Sequence, residues 1–449
     1  MEYSKEILGE LKKKGIKIND HVVVEKNEQK LTGILMPKSQ GSPGSLIIKL
    51  ENGYNTGIDF GKNTKIKKSR EPETKKPKPI KTEKYKPDPS KPTVSILSTG
   101  GTIASRIDYN TGGVTGLETA EEIISAIPEL QNIANIKIRQ VFQMMSEDME
   151  PYHWMTLAKK IEDEISSGID GIIITHGTDT MHCTSAALSL MIQNSPIPIL
   201  IVGSQRSSDR GSSDAAMNLL CAAQFIANSD FSGVAVCMHG STDDNFCFVH
   251  QGTHVRKMHT SRRDTFRSMD VAPYAKVHAN GTIEFLRSDY AKKDKKRKPH
   301  TVDRFDSRIA LIKSHTCFNY KVLEFYEQQG VRGIVFEGTG LGHLPIREID
   351  DSTKNHKLLY DTLARLVKNG IIIGMTSQCP YGKVNLNVYT NLRLLKDIGI
   401  LELRMTPDTA LVKMGWALGH TKNAEDAKKI LLTNVVGEIL DRVDIEAYE

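Results

Sequence analysis

The sequence has little of what would mark a membrane protein, a disulfide scaffold or a metal site. Its longest apolar run, around Ile197 to Val202, is far too short to span a bilayer. The first residues, Met1-Glu2-Tyr3-Ser4-Lys5-Glu6, contain no apolar signal core. No membrane contact and a cytoplasmic location are therefore expected. The 6 Cys are scattered and none lies in a Cys-x-x-Cys. That speaks against a disulfide framework and fits thiols used as small core residues in a reducing compartment. Nothing in the spacing of Cys and His suggests a metal, and none is expected. No Gly-x-x-x-x-Gly-Lys-Ser/Thr phosphate loop occurs. Neither sign of charge dominates. The net charge of +6 permits an acidic partner such as RNA without demanding one. A chain of 449 residues is also too long for one core, so two or three domains are expected.

What is present divides the chain. Residues 5–15 read as a short amphipathic helix with Ile7, Leu8 and Leu11 on one side. From Ile16 to Phe60 the apolar period becomes two, in Val22 to Val24, Leu31 to Leu35 and Leu46 to Leu50, with the hairpin signal Asn52-Gly53. No helix-length segment interrupts them, which predicts a small β-barrel over 1–61, either a stabilising appendage or a docking module. Residues 62–91 are rich in Lys, Pro and Glu, cannot bury apolar area, and read as a linker. From 92 to 288 β-branched strands alternate with helix-like stretches, including Ala120 to Ile127, Trp154 to Ser167 and Ser185 to Gln193. A parallel sheet covered on both faces is expected there. A basic break at 289–305, containing Lys292-Lys293-Asp294-Lys295-Lys296-Arg297-Lys298, precedes a second α/β unit over 306–449.

Two segments carry chemistry. Val94 to Leu97 runs into Ser98-Thr99-Gly100-Gly101-Thr102, and Ile172-Ile173-Ile174 runs into Thr175-His176-Gly177-Thr178-Asp179-Thr180. A strand that ends in glycine and hydroxyls offers backbone N–H groups and a reactive side chain at the carboxyl edge of a sheet. A lone Gly-Gly-Thr is an ordinary strand-to-loop turn. Two such ends together could converge on one small polar ligand. Amide hydrolysis needs a nucleophile, a proton acceptor and oxyanion donors. The turns offer the first and the last; no proton acceptor is evident nearby.

Thr99-Gly100-Gly101-Thr102-Ile103-Ala104 and His176-Gly177-Thr178-Asp179-Thr180 resemble the two signature motifs of the type I L-asparaginase/glutaminase family. Further segments resemble the family in order: Met145 to Met149, Val202 to Arg206, Arg256 to Thr260, and Thr376 to Cys379 with Gly382-Lys383-Val384. The resemblance runs over roughly residues 92–445. It implies an α/β fold, an asparaginase-like two-domain core with parallel sheets. The β-rich extension and basic linker resemble the D-subunit family of archaeal glutamyl-tRNA(Gln) amidotransferases.

The resemblance implies roles residue by residue. Thr102 attacks the side-chain carbonyl of glutamine, and Thr178, Lys257 and Asp179 form a proton relay. Gly101, Ser146, Glu147, Tyr109 and Thr115 fall to the substrate side, with Ser146 and Glu147 holding the α-carboxylate and α-amino ends. The residues themselves leave open which threonine attacks first. They also leave open whether Tyr109 or Thr115 activates Thr102, or whether the loop closes only when a partner docks. A lysine is a base only when neutral, a form that burial favours and a neighbouring carboxylate opposes. By composition alone, Lys257 among several arginines reads as solvated and Asp179 as a helix cap. No cofactor is implied in this subunit, with ATP and Mg expected in the partner. The implied partners are glutamine, an E subunit and, through the complex, Glu-tRNA(Gln). The implied assembly is a homodimer within a heterotetramer of two D and two E subunits, Glu337 to Gly342 forming part of the wall each protomer lends its neighbour. The competing readings are a free-standing cytoplasmic L-asparaginase and a catalytically silent scaffold.

Overall fold

The computed structural model describes residues 3–27, 29–37, 43–50, 55–69, 87–100, 105–107, 114–116, 127–206 and 213–444, with backbone alone at 105–107 and 114–116. The N-terminal unit begins with α1 (Lys5–Lys13), whose Ser4 cap accepts a hydrogen bond from the Ile7 N–H at 3.3 Å. Glu6 in its first turn and Lys12 and Lys13 in its last complement the helix dipole. Ile7 and Leu11 are buried, but Leu8 is largely exposed, so the apolar stripe is narrower than expected. Strands β1 (His21–Lys26), β2 (Gln29–Leu35), β3 (Ser45–Leu50), β4 (Asn55–Asp59) and β5 (Thr64–Lys68) form an antiparallel sheet in the order β4-β3-β2-β1-β5. Val22, Val24, Leu35, Leu46, Ile48 and Ile66 bury one face with α1, the outcome of a period of two. Among the described residues no pairing of β4 with β5 closes the sheet into a barrel. Asn52-Gly53 and most of the 62–91 stretch lie outside the described residues.

The second unit carries β6 (Thr93–Gly100), a short antiparallel pair β7 (Ser105–Ile107) and β8 (Val114–Gly116), helix α2 (Leu130–Ile133), β9 (Asn135–Met144), α3 (Pro151–Ser166), β10 (Gly171–Thr175) and α4 (Met181–Met191). It continues through β11 (Ile192–Gln193), β12 (Pro198–Val202), α5 (Ala215–Asn228), β13 (Gly233–His239), β14 (Cys247–Gln251), β15 (Val255–Lys257), β16 (Phe266–Ser268), β17 (Ala275–Val277) and β18 (Ile283–Phe285). Eight of these strands form one sheet, β18-β17-β14-β13-β12-β10-β6-β9. The sheet is parallel from β9 to β13 and antiparallel from β13 to β18, which corrects the expectation of a wholly parallel sheet. The links from β13 to β14 and from β17 to β18 are too short for a crossover helix and force the reversal at those pairs. Ile173, Leu200 and Val202 face the α5 layer, and Ile172, Ile174, Ile199 and Ile201 face α3 and α4. Burial on both faces is why these strands read as unbroken apolar runs. The helix expected at Ala120 to Ile127 falls almost wholly outside the described residues.

The basic break is tied to the fold, not free. Its β19 (His300–Thr301) pairs with β11, and Lys292 and Lys295 reach Asp230 and Asp170 at 2.8 and 2.7 Å. The third unit has a parallel sheet of β20 (Ile309–Lys313), β21 (Gly333–Gly338), β22 (Ile372–Ser377) and β23 (Leu401–Glu402). Helices α6 (Lys321–Gln328), α7 (Lys354–Lys368) and α8 (Thr390–Asp397) cover one face; α9 (Pro407–His420) and α10 (Ala424–Leu432) cover the other. Helix α9 belongs to both units. Its Ala410 and Met414 pack on the third unit's sheet, and its Val412 and Trp416 enter the core around α3 and α4.

Candidate active site

The parallel order places the carboxyl ends of β6 and β10 side by side, with Ser98 opposite Thr175. Thr99 Oγ1 donates to the Thr175 carbonyl at 2.9 Å and locks the two ends together. On the other flank β6 meets β9 through a register shift between Ser98 and Gly100. Gly100 has φ +110°, and a Cβ there would lie 2.3 Å from the Met144 carbonyl oxygen. Only glycine fits so close an approach in that conformation. Thr102, Gly101 and Tyr109 lie outside the described residues, and of Thr115 only the backbone, in β8 opposite Arg106, is described.

Beyond β10 the geometry is explicit. Lys257, the last residue of β15, extends its Nζ to donate to Thr178 Oγ1 at 2.9 Å and Asp179 Oδ1 at 2.6 Å. Its side chain is 11% exposed and that of Asp179 63%, so the ammonium is nearly enclosed and the carboxylate faces water. The plain reading of Lys257 as a solvated cation does not hold, nor does that of Asp179 as a cap: its carboxylate faces Lys257, and helix α4 has Thr180 at its cap position with no side-chain cap bond. Thr178, Asp179 and Lys257 come together within hydrogen-bonding distance.

Ser146 and Glu147 divide. Ser146 is buried; its Oγ accepts from the Asp179 N–H at 3.2 Å and its carbonyl accepts from Thr180 Oγ1 at 2.6 Å. Glu147 beside it is exposed. The 145–149 loop thus lies directly on the 177–180 turn, and a Cβ on Gly177 would come 2.8 Å from Ser146 Oγ. Beneath the turn, His176 is fully buried, its Nε2 2.9 Å from Thr184 Oγ1 and its Nδ1 2.6 Å from the Gly177 carbonyl. Burial pushes His176 down to about 4, against the pull of that carbonyl. It is a neutral support, not a ligand.

Several supporting residues carry no sequence signal. Asp214 accepts from the Gln205 and Arg206 N–H groups and fixes the loop after β12. Asn218 donates to the Gly203 carbonyl at 2.8 Å and to Asp214, and its Oδ1 meets His239. After Lys257 the chain turns on Asp264, which receives a two-pronged bond from Arg262 and another from Arg267. Arg262 first, then Arg267, hold Asp264 down to about 2 despite its burial. The contact between adjacent His182 and Cys183 and the remote Asp408 likewise leaves no trace in the sequence. Contrary to the expectation that no Cys or His spacing suggests a metal, His250 and His254 stand four residues apart, yet they bond Ser268 Oγ and the Gly437 carbonyl. A cavity of about 600 Å³ between the start of β13 and residues 434–441 lies at the opposite, amino edge of the sheet. The site chemistry resides at the carboxyl edge.

Comparison with known proteins agrees with this architecture. The chain matches the family Asparaginase, N-terminal, over residues 93–290 and the Glutaminase/Asparaginase C-terminal domain over 308–431. Residues 16–68 match the GatD N-terminal domain. The D subunit of the glutamyl-tRNA(Gln) amidotransferase of Pyrococcus furiosus is 46% identical over 437 residues, covering 96% of each chain. The protein of the same name from Methanothermobacter thermautotrophicus is 41% identical over 440 residues, covering 98% of this chain and 97% of that one. Among solved structures, the thermostable L-asparaginase from Thermococcus kodakarensis superposes with a TM-score of 0.69 at 30% identity, covering 78% of this chain and 99% of that one. L-asparaginase I from Vibrio cholerae gives 0.66 at 25% identity, with the same coverage.

Proposed function

Because the chain belongs to the D-subunit family of glutamyl-tRNA(Gln) amidotransferases, built on an asparaginase core, we propose that it hydrolyses glutamine through a threonine nucleophile. The ammonia passes to an E subunit that uses ATP and Mg to convert Glu-tRNA(Gln) to Gln-tRNA(Gln). The observation that carries this reading is the enclosed Lys257 ammonium held between Thr178 and Asp179, at the strand end beside the one that leads to Thr102.

Thr102 Oγ attacks the side-chain carbonyl carbon of glutamine and loses its proton into the Thr178–Lys257 pair. The tetrahedral intermediate collapses to a threonyl ester as the departing amine takes that proton and leaves as ammonia. A water then adds to the ester, and glutamate is released. A lysine accepts a proton only in its neutral form, and Asp179 fixes the substrate ammonium. Ser146 orients Asp179 through the backbone, and Glu147 holds the substrate's amino end. Tyr109 or Thr115 helps to activate Thr102. The protein requires no cofactor of its own, and it works in the cytoplasm as a homodimer within a heterotetramer with two E subunits. The N-terminal sheet of β1 to β5 serves as a docking module. Among the described residues no helix is long and apolar enough to cross a membrane.

Ammonia release from glutamine and from asparagine, each with and without E subunit and Glu-tRNA(Gln), tests the proposal. Glutamine turnover that rises with both partners is expected. Strong unassisted asparagine turnover would establish a free-standing asparaginase instead, and no turnover under any condition a silent scaffold.

A further inference from the structure

One side-chain cluster beside the candidate active site takes no part in the chemistry above. The first turn of α4 presents His182 and Cys183, and the first turn of α9 presents Asp408 from the third unit. A donor atom from each of the three lies within 4.8 Å of the others. His182 Nε2 and Asp408 Oδ1 are 3.6 Å apart, too far for a good hydrogen bond. Two ligands at ~2.0–2.2 Å from one tetrahedral zinc stand roughly 3.4 Å apart, close to the spacing found. His182 Nδ1 is buried without a hydrogen-bond partner, and Asp408 Oδ2 accepts no hydrogen bond, with only the Arg256 cation near it.

The competing explanation is an ion pair, since Arg256 Nε stands 3.4 Å from Asp408 Oδ2. Yet Arg256 also lies 4.0 Å from Glu337, whose carboxylate can answer its charge. Asp408 and a Cys183 thiolate would then remain to balance a divalent cation. Arg256 occupies the outer oxygen of Asp408 and leaves Oδ1 turned to His182, as an outer-shell partner does. Cys183 is only half-buried, which gives the cation a way in.

We propose that His182, Cys183 and Asp408 form a binding site for one divalent cation of the zinc class, completed by water. The thiolate and imidazole select zinc or cobalt over magnesium and calcium. A bound ion would pin α9 to α4, the helix that starts just after Thr178 and Asp179.

The full-length chain, stripped of metal with a chelator, can be titrated with cobalt(II) and followed by absorption. A sulfur-to-cobalt charge-transfer band saturating at one equivalent is expected, with the d–d bands of a tetrahedral ion. Zinc should displace cobalt, magnesium should not, and elemental analysis should find one zinc per chain. C183S, the mildest change, should abolish the charge-transfer band. H182Q and D408N should weaken cobalt binding ~10-fold or more. A background of C317S and C379S, which removes the two exposed thiols, should leave the band intact. An unchanged band in C183S, or no band at saturating cobalt in the unmodified chain, overturns the site and leaves Arg256 and Asp408 as a plain ion pair. H182Q and D408N count only if their metal-free unfolding temperatures match the parent.

Discussion

At Lys257 one ammonium serves two acceptors, and its environment sets what substitution will do. With the side chain only 11% exposed, the contact to Thr178 is partly shielded from water, whereas Asp179 is screened. Replacing Lys257 with Met keeps the volume and removes the proton carrier. We expect kcat for ammonia release to fall ~10²–10⁴-fold, with little change in the urea midpoint. Lys257→Arg should rescue little, because a planar guanidinium cannot replace a compact amine that must gain and lose a proton. Near-parental kcat in Lys257→Met would remove the relay. At this scale the sequence was legible where a motif carries the residue, as for Thr178 and Asp179. It was silent for Asp214, His182 and Asp408, because their partnerships exist only once distant segments pack. Ser146 shows both sides: its position was visible in the sequence, but its role as a brace under Asp179 was not.

Among the elements, the turn after β10 works because the 145–149 loop lies against it with no room to spare. A Cβ on Gly177 would stand 2.8 Å from both Cβ and Oγ of Ser146. Gly177→Ala must therefore push the loop away and break the Ser146–Asp179 bond. Misplacement of about 1 Å in a positioned group can cost about 100-fold in rate, so kcat/KM for glutamine should fall by about that factor while the fold persists. Steady-state kinetics beside a thermal melt measures both, and unchanged kinetics would mean the loop does not brace the site. The same scale explains which strands could be read. β10, β12 and β13 are buried on both faces and appear as apolar runs. β9 lies at the sheet edge with an irregular burial pattern, and β17 and β18 have three residues each, so periodicity had little to register. Helix α4 starts at Met181, four residues before the expected Ser185, because its first turn packs against β15 and α9 instead of facing water.

Across the whole molecule, the second and third units are sewn together by α9 and by the stretch after α10. Lys413 and Glu438 form a fully buried ion pair at 2.5 Å, and Glu438 also accepts from the Val435 and Val436 N–H groups. The Gly437 carbonyl takes bonds from Gln251 and His254 of the second unit. The sequence foretold two α/β units in this order but not the shared helix, since nothing in the pattern of α9 says that two cores claim it. Three buried histidines of the second unit, His254 at this seam among them, predict how stability depends on pH. Burial, reinforced by Arg267, lowers His250 from 6.5 to about 3; burial lowers His254 to about 4, with Arg287 and Lys383 adding to it; and burial lowers His176 to about 4. A histidine depressed in the fold is held neutral there, so its contribution is complete above its unfolded value near 6.5 and is lost as pH falls toward the folded value. Stability should thus be flat from pH 8 to 7 as far as these three are concerned. It should then decline between about 6.5 and 4, each histidine adding up to roughly 1.4 kcal/mol per pH unit. Urea midpoints at half-unit intervals from pH 7.5 to 4.5 measure the slope. His254→Gln should lower the midpoint at pH 7.5 but flatten the acid limb, because the remaining amide has no proton to take up. A midpoint constant down to pH 4.5 would show that these imidazoles accept their protons without disturbing the fold.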